Sequence, residues 1–240
     1  MKKIFLTAIC IAIAGVTAFA QTADEVVNKN ITAMGGKEKL NSLKSVKMEG
    51  TLEVQGMQIP TTMVMLNNKG MRNDFTLQGM TGSQVITDKG GWMFMPFQGQ
   101  QKPEPTPAEE VKASQVDLDL ASPLVDYSKK GHQVTYLGEE DMDGTQVYKL
   151  RLDTKDGVAI TYYVDAETGY IIKSSTKKKI GEKETNTVVL LSNYKKTDDG
   201  YVFPYTFEQS AEGAGKIMIN LSKIEINVPV DESIFVMPAK

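Results

Sequence analysis

The feature that most constrains this chain is an alternation of apolar and polar side chains that begins near residue 45. Val46, Met48 and Leu52 alternate with Lys47 and Glu49, as in a strand that buries one face. Similar runs recur and end in turn-forming segments at residues 55–56, 67–70, 78–82, 88–91, 141–144, 155–157, 165–169, 198–200 and 212–215. The pattern predicts a mainly β protein, an antiparallel meander of about eleven or twelve strands joined mainly by hairpins.

One helical region precedes the predicted sheet. Residues 22–25 read Thr-Ala-Asp-Glu, which has the spacing of a capping box. The apolar residues that follow can share one helical stripe: Val26, Val27, Ile31 and Met34. The Gly-Gly pair at residues 35–36 predicts the end of this helix. A short second turn is predicted over residues 37–43.

A second helical region divides the sheet. It follows a polar, proline-rich loop at residues 98–105, and residues 106–109 read Thr-Pro-Ala-Glu, a predicted helix start with a threonine cap. A Ser-Pro pair opens a second short helix predicted over residues 122–127. This helical insert, at about residues 106–129, leaves about five strands before it and seven after it. Because joining would satisfy the open edges of both halves, we predict one strongly curved sheet in a single domain over residues 21–240.

The first twenty residues have the composition of an export signal. Lys2 and Lys3 precede an apolar stretch, and residues 18–20 read Ala-Phe-Ala, a small-residue cleavage motif. The only cysteine, Cys10, lies within this stretch. We therefore predict a periplasmic protein, cleaved after Ala20, that has no disulfide, no thiolate nucleophile and no Cys-ligated metal.

The charge balance argues against one class of partner. Removal of residues 1–20 takes two lysines from the 27 basic residues and leaves 25 against 30 acidic residues, a net charge of −5. A surface of this sign disfavours a nucleic-acid role that depends on phosphate contacts. No apolar run of membrane-spanning length follows the signal. We expect a mildly acidic monomer.

Few residues offer covalent chemistry. His132 is the only histidine, and a catalytic dyad or a metal site needs further partners within reach. The acidic run at residues 139–143 is better explained as a hairpin turn than as a calcium loop. A carboxylate pair for glycoside hydrolysis depends on the fold, and no pair stands out in the sequence. We predict no catalytic residue, no metal site and no cofactor.

The methionines favour an apolar site. Eight of the 12 that follow Met1 lie between residues 48 and 95. Methionine fills irregular cores and also lines surfaces that accept varied apolar partners, so both interpretations stay open. The strands at residues 57–66 and 91–97 are apolar on both faces and need cover on both sides. A wide curved sheet under helices leaves a lipid-sized cavity, and we predict that its lining and lid comprise Met48, Leu52, Met57, Ile59, Met63, Met65, Phe75, Leu77, Trp92, Phe94, Val111, Val116, Leu118, Leu120 and Leu124.

The sequence also resembles a known family. The segments that carry the resemblance are residues 26–40, V-V-N-K-N-I-T-A-M-G-G-K-E-K-L, with residues 122–127, 138–149, 162–170 and 230–235. They are similar to segments of exported outer-membrane lipoprotein-sorting proteins of the LolA-like superfamily, and the likeness spans roughly residues 24–237.

This resemblance implies an unclosed antiparallel β-barrel with a hydrophobic cavity under helical lids. It also implies carriage of acylated lipoproteins or lipids, with membrane-associated donor and acceptor proteins as partners. In the best-known member an arginine on an early strand locks the lid, and Arg72 lies on an early predicted strand, although no local motif gives it that role. The leading hypothesis is a non-enzymatic carrier in outer-membrane lipoprotein sorting. An envelope sensor or protein-interaction module on the same scaffold and a hydrolase are the alternatives.

Overall fold

The alternating segments form one antiparallel sheet of thirteen strands in the computed structural model, which describes residues 21–180, 183–211 and 214–238. The strands are β1 (Ser45–Val54), β2 (Met57–Leu66), β3 (Gly70–Leu77), β4 (Met80–Thr87), β5 (Gly91–Phe94), β6 (Glu104–Pro105), β7 (Gln133–Met142), β8 (Thr145–Asp153), β9 (Ala159–Asp165), β10 (Ile171–Ile180), β11 (Lys183–Lys196), β12 (Val202–Ala211) and β13 (Ala214–Ile226). The expected signal, with Cys10 and the cleavage after Ala20, lies outside the described residues.

The sheet is open, and its two halves join in the middle. The strand order is β6-β5-β4-β3-β2-β1-β13-β12-β11-β10-β9-β8-β7, so β1 pairs with β13 while β6 and β7 form the two edges. This confirms the predicted unclosed, antiparallel sheet with few helices. One strand was not predicted: β6 pairs with β5 and lies inside the segment at residues 98–105 that was predicted to be a loop.

Two hairpins in the first half have the same turn. Gln55 and Gly56 connect β1 to β2 with φ values of 51° and 78°, and Gln78 and Gly79 connect β3 to β4 with 52° and 79°. Positive φ at both central residues characterises the type I′ turn, whose twist matches that of the flanking strands. A methionine follows each turn, Met57 in the first hairpin and Met80 in the second.

The first helical region folds as predicted. Helix α1 spans Ala23–Ala33 and α2 spans Lys37–Asn41. The Thr22 backbone N–H donates to Glu25 Oε2 at 2.8 Å, and the Glu25 N–H donates to Thr22 Oγ1 at 3.2 Å, which completes the capping box. The glycines at residues 35–36 have positive φ and separate the two helices.

The insert is less helical than predicted. Helix α3 spans Ala108–Ser114, and a 3₁₀ turn, Gln115–Leu118, continues it. Pro107 is the N-cap and makes no side-chain cap bond, so the predicted threonine cap is wrong. The Thr106 N–H instead donates to the carbonyl oxygen of Gly91. Residues 122–127 form turns rather than a second helix. Among the residues described, no helix has the length and apolar character needed to cross a membrane.

Candidate apolar binding face

The helices define two different faces of the sheet. Val26 of α1 and Leu124 of the insert share a buried cluster with Val46 of β1, Leu150 of β8 and Ile160 of β9. We call the side on which these strand residues lie the inner face, and the other side the outer face. Directly paired residues of antiparallel strands point to the same side, so the register assigns the remaining residues of each strand to a face.

Over β8 and β9 the inner face is filled. The side chains of Val26, Leu124, Leu150 and Leu152 are completely buried. Tyr162 lies in the same cluster, and burial raises the pKa of its phenol well above 10. This part of the inner face is a packed core that leaves no room for a ligand while the helices stay in place.

Helix α3 and its 3₁₀ turn cover a second part of the inner face. Val111 and Leu118 are buried against Ile86 of β4, with Met71 of β3 beside them. Helix α3 also contacts β10, far from β4 in strand order. In the 3₁₀ turn, Asp117 Oδ2 lies 3.1 Å from Lys178 Nζ of β10. The insert therefore bridges two distant strands that the curvature of the sheet brings opposite each other.

A band of the inner face is apolar and only partly covered. Direct pairing places one residue from each of five neighbouring strands in a single row: Ile59, Leu52, Ile219, Phe207 and Leu191. Ile59 is buried, and the other four are partly exposed. We call these five residues the apolar row. No member of the row carries a charge, so the row can contact a hydrocarbon chain without desolvating an ion.

Inner-face residues on both sides of the apolar row are also uncharged. On one side the paired residues are Met57, Val54, Ile217, Gln209 and Val189, and on the other side Phe75, Thr61, Gly50 and Leu221. Met63 and Leu77 lie on the same face and are partly exposed. The strip formed by these residues and the apolar row, which we call the inner strip, is the candidate binding surface.

The structure divides the predicted site residues into three groups. Leu52, Met57, Ile59, Met63, Phe75 and Leu77 lie on the inner strip. Met48 and Met65 belong to the same first group because they also lie on the inner face, but Met48 packs against the helical core and Met65 is buried. The second group is the predicted lid residues, which belong to the insert. Val111 and Leu118 pack over β4, Val116 and Leu120 pack against the main core, and Leu124 is fully buried. That these residues contact a ligand stays a prediction.

Trp92 and Phe94 form the third group, and they lie on the outer face. Trp92 pairs with Val85, and both are buried with Phe235 from the C-terminal segment. Trp92 Nε1 donates a hydrogen bond to the carbonyl oxygen of Phe235 at 2.9 Å. The prediction that these two aromatic residues line the cavity is therefore wrong. Strand alternation turns them away from the inner face, and the C-terminal segment covers them there.

Arg72 holds the same C-terminal segment. Its Nε donates to both carboxylate oxygens of Asp74, at 2.9 and 3.0 Å, and its two terminal nitrogens donate to the carbonyl oxygen of Ile234 at 2.9 Å and to Ser83 Oγ at 3.2 Å. The guanidinium carbon lies 5.8 Å from the centroid of the Trp92 ring. We call Arg72, Asp74, Ser83 and Trp92 the clasp. No local sequence pattern predicts the clasp, although the apolar pair at residues 234–235 is a signal for a covering segment.

His132 lies in a polar cleft rather than on the inner strip. The cleft has a volume of about 370 Å³ and is lined by Asn68, Asp88, Gln115, Val116, Leu118, Asp119, Lys130, His132, Lys155 and Asp156. The His132 Nδ1 accepts the Lys155 backbone N–H at 3.3 Å. Burial first, and then Lys130 and Lys155, lower the pKa of this imidazole. The cleft is charged, so its chemistry differs from that of the inner strip.

The acidic turns do not form a metal site in the described part of the chain. Asp141 Oδ1 accepts the Gly144 N–H at 3.0 Å within the β7–β8 hairpin, as expected of a turn. Over residues 21–180, 183–211 and 214–238, no group of three or more His, Cys, Asp or Glu side chains is placed to hold a metal ion.

The open half-barrel with a helical cover defines the class of fold. The chain has a LolA-like fold, and three solved structures match it over most of their length. A LolA superfamily protein from Nitrosomonas europaea is 12% identical, with a TM-score of 0.58 over 90% of this chain and 98% of that one. An outer membrane lipoprotein-sorting protein domain from Vibrio parahaemolyticus is 13% identical, with a TM-score of 0.56 over 88% of this chain and 94% of that one.

The third structure, a DUF1329 family protein from Desulfovibrio piger, is 13% identical, with a TM-score of 0.52 over 90% of this chain and 98% of that one. At these identities the likeness concerns the fold alone. The PepSY family, described as "Peptidase propeptide and YPEB domain", matches residues 127–174, which run from the end of the insert into β10. No curated protein sequence matches the chain.

Proposed function

We propose that this protein is a non-enzymatic carrier that binds the acyl chains of lipoproteins or other lipids on the inner strip. The observation that carries the proposal is the apolar row, in which five adjacent strands each contribute one uncharged side chain. Four of the five are partly exposed, although the hydrophobic effect favours their burial. A bound hydrocarbon chain would complete that burial.

The expected energetics suit a carrier. Burial of a hydrocarbon contributes about 0.8 kcal/mol per CH₂ group, so an acyl chain supplies several kcal/mol without any directed polar contact. Because the strip is uncharged, affinity depends on chain length and on how completely the cover closes. Release then requires only an acceptor that buries the chain more completely.

The proposal of a lipoprotein cargo in the periplasm also rests on the fold. One solved protein of this fold is described as an outer membrane lipoprotein-sorting protein domain, and residues 1–20 have the pattern of an export signal. These observations support a periplasmic protein that carries acylated lipoproteins from a membrane-associated donor to an acceptor, and we expect it to act as a monomer. Because one fold supports several functions, the cargo must be tested directly.

Two neighbouring leucines of β11 provide a matched test. Leu191 belongs to the apolar row, whereas Leu190 pairs with Lys173 and lies on the outer face. We expect delipidated protein to take up a fluorescent fatty acid and a diacylated lipopeptide. Leu191→Asp should weaken both at least about tenfold, which corresponds to about 1.4 kcal/mol, because it places a charge beside the hydrocarbon.

Leu190→Asp should bind both probes like the unmodified chain. Absence of uptake by the unmodified protein would refute the carrier function. Equal effects of the two substitutions would refute the assignment of the inner strip. Uptake of the fatty acid but not of the lipopeptide would retain lipid carriage and reject the lipoprotein cargo.

A sensor or protein-interaction module is the second candidate. The filled inner face over β8 and β9, with Leu124 and Leu150 completely buried, favours it because this region has no space for a ligand. A stable stoichiometric complex with an envelope protein, formed by Leu191→Asp as well as by the unmodified chain, would support this candidate over the carrier.

A further inference from the structure

Three exposed methionines lie on the inner face of the first half of the sheet. The side chains of Met57, Met80 and Met93 are 46%, 40% and 38% exposed. Large apolar side chains are usually buried more completely than this. Exposure also leaves the thioether sulfur open to reagents in solution.

The register places Met57 and Met80 at the inner strip and Met93 on the same face of the sheet. Met57 pairs with Val54, beside the apolar row, and Met80 pairs with Leu77. Met93 pairs with Gln84, which shares its face with Ile86 beneath α3. All three therefore lie on the side of the sheet that the proposed ligand occupies.

The two hairpin tips that carry Met57 and Met80 repeat one short motif. Both read Gln-Gly-Met with positive φ at Gln and Gly, and β2 pairs with β3, so the hairpins are neighbours. Residues 54–59 and 75–82 contain no Lys, Arg, Asp or Glu. A methionine side chain on an uncharged hairpin tip can contact either water or a ligand with little rearrangement of the backbone. A change in the polarity of that side chain therefore changes how well it contacts a hydrocarbon.

Two other methionines of the same half are protected. Met65 and Met95 are 9% and 8% exposed and belong to the core. Oxidation susceptibility of methionine follows access of the oxidant to the sulfur. The structure thus separates an exposed set of methionines from a buried set within the same half of the sheet.

We propose that Met57, Met80 and Met93 form a reversible oxidation site that controls binding of apolar ligands to the inner strip. Each thioether takes one oxygen atom from a peroxide, so that the sulfur loses two electrons and hydrogen peroxide is reduced to water. The sulfoxide is polar and replaces an apolar contact, which weakens binding of a hydrocarbon chain. The control of binding rests on the carrier function proposed above, whereas the oxidation site itself does not.

The first experiment maps the modification on the folded chain. Native protein is treated with graded hydrogen peroxide, and each methionine is followed by peptide mass spectrometry. We expect oxidation of Met57, Met80 and Met93 at least about fivefold faster than that of Met65 and Met95, in line with their exposure. Oxidation of all five at the same rate would overturn the proposed site.

The second experiment measures fatty-acid binding before and after oxidation. We expect oxidation to weaken binding of the fluorescent fatty acid several-fold, and a mixture of methionine sulfoxide reductases for both sulfoxide epimers to restore it. Replacement of the three methionines by leucine conserves volume and apolar character but removes the thioethers, so the fatty-acid affinity of this variant should be the same before and after peroxide treatment.

Met237 supplies the matched control. It is 44% exposed but lies beyond the C-terminal 3₁₀ turn, away from the inner strip. Met237→Leu should leave the peroxide sensitivity of binding unchanged. If the triple leucine variant loses binding after oxidation as the unmodified chain does, the control of binding is refuted. If untreated protein binds no fatty acid, the carrier function fails, while the peptide map independently decides the oxidation site.

Discussion

Replacement of Arg72 by methionine tests the role of the clasp. Methionine keeps much of the apolar volume of the side chain and removes every donor. The substitution deletes the hydrogen bond to the carbonyl oxygen of Ile234, the paired bonds to Asp74 and the bond to Ser83. A hydrogen bond to a charged group contributes about 1.5–3 kcal/mol, and a cation–π contact such as that with Trp92 adds about 0.5–1 kcal/mol.

The charge attraction between Arg72 and Asp74 adds little to the free energy of unfolding beyond these hydrogen-bond and cation–π contributions. The Arg72 and Asp74 side chains are 26% and 29% exposed, so solvent screens part of their attraction. Asp74 also keeps one donor, since Ser83 Oγ lies 2.6 Å from its Oδ1. We therefore expect Arg72→Met to lower the free energy of unfolding by about 2–4 kcal/mol, with the largest local effect on the C-terminal segment.

The only tryptophan of the chain reports on this segment directly. Trp92 is 5% exposed, and its indole N–H donates to the carbonyl oxygen of Phe235. If the segment detaches, the indole becomes hydrated. Arg72→Met should then show a red shift of fluorescence emission and stronger quenching by acrylamide, at urea concentrations below the main unfolding transition seen by circular dichroism.

The second arginine of the chain is the control. Arg151 also pairs with a carboxylate two residues away, since one of its terminal nitrogens lies 2.8 Å from Asp153 Oδ1. The Arg151 and Asp153 side chains, however, are 51% and 42% exposed. Arg151→Met should change the free energy of unfolding by less than about 1 kcal/mol and leave the emission unaltered. Equal unfolding energies and equal spectra for the two variants would refute the stabilising role of the clasp.

Three further predictions concern stability and are checked by urea unfolding. Leu124→Ala should lower the free energy of unfolding by about 2–5 kcal/mol because it opens a cavity in a fully buried cluster; a loss below 1 kcal/mol would contradict that packing. Thr22→Ala should lower it by about 0.5–2 kcal/mol through loss of the capping box, and an unchanged value would show that α1 does not depend on its cap. Because the pKa of His132 is lowered from 6.5 in the folded protein, neutral His132 stabilises the fold above that pH, and this contribution is lost as the pH falls through the folded-state pKa. His132→Gln should reduce the pH dependence in this window, and an unaltered profile would contradict the assignment.

The local parts of the fold were predictable because their signals are contained in short segments. The alternation in β2 predicts that Met57, Ile59, Met63 and Met65 share one face, and the register confirms it. The capping box depends on Thr22 and Glu25 alone. Nearest-neighbour geometry fixes both features, so no distant part of the chain could change them.

The errors arise where distant segments decide the structure. The alternation correctly separates Trp92 from Met93, but it cannot tell which face the helices cover. The outer face is covered by a segment whose Phe235 is 143 residues from Trp92 in sequence. Likewise, the Ser-Pro pair at residues 122–123 has a helix-start pattern, yet Ser122 and Asp126 adopt φ values of 80° and 51°. These positive φ values end a helix, while Leu124 and Val125 are buried between them.

The cover over the inner face is uneven, and under the proposed carrier function this unevenness predicts where a ligand would enter. Leu124 and Val125 are fully buried in the largest cluster, whereas the buried residues of α3 are only Val111 and Ala113. The free energy needed to lift a segment rises with the apolar area it buries, so α3 separates from the sheet more readily than residues 121–125 do. Helix α3 contacts both β4 and β10, so its displacement would open the gap between those strands while the main core stays intact. Under the proposed carrier function, we therefore expect an acyl chain to reach the inner strip without unfolding the part of the insert that holds the two halves of the sheet together.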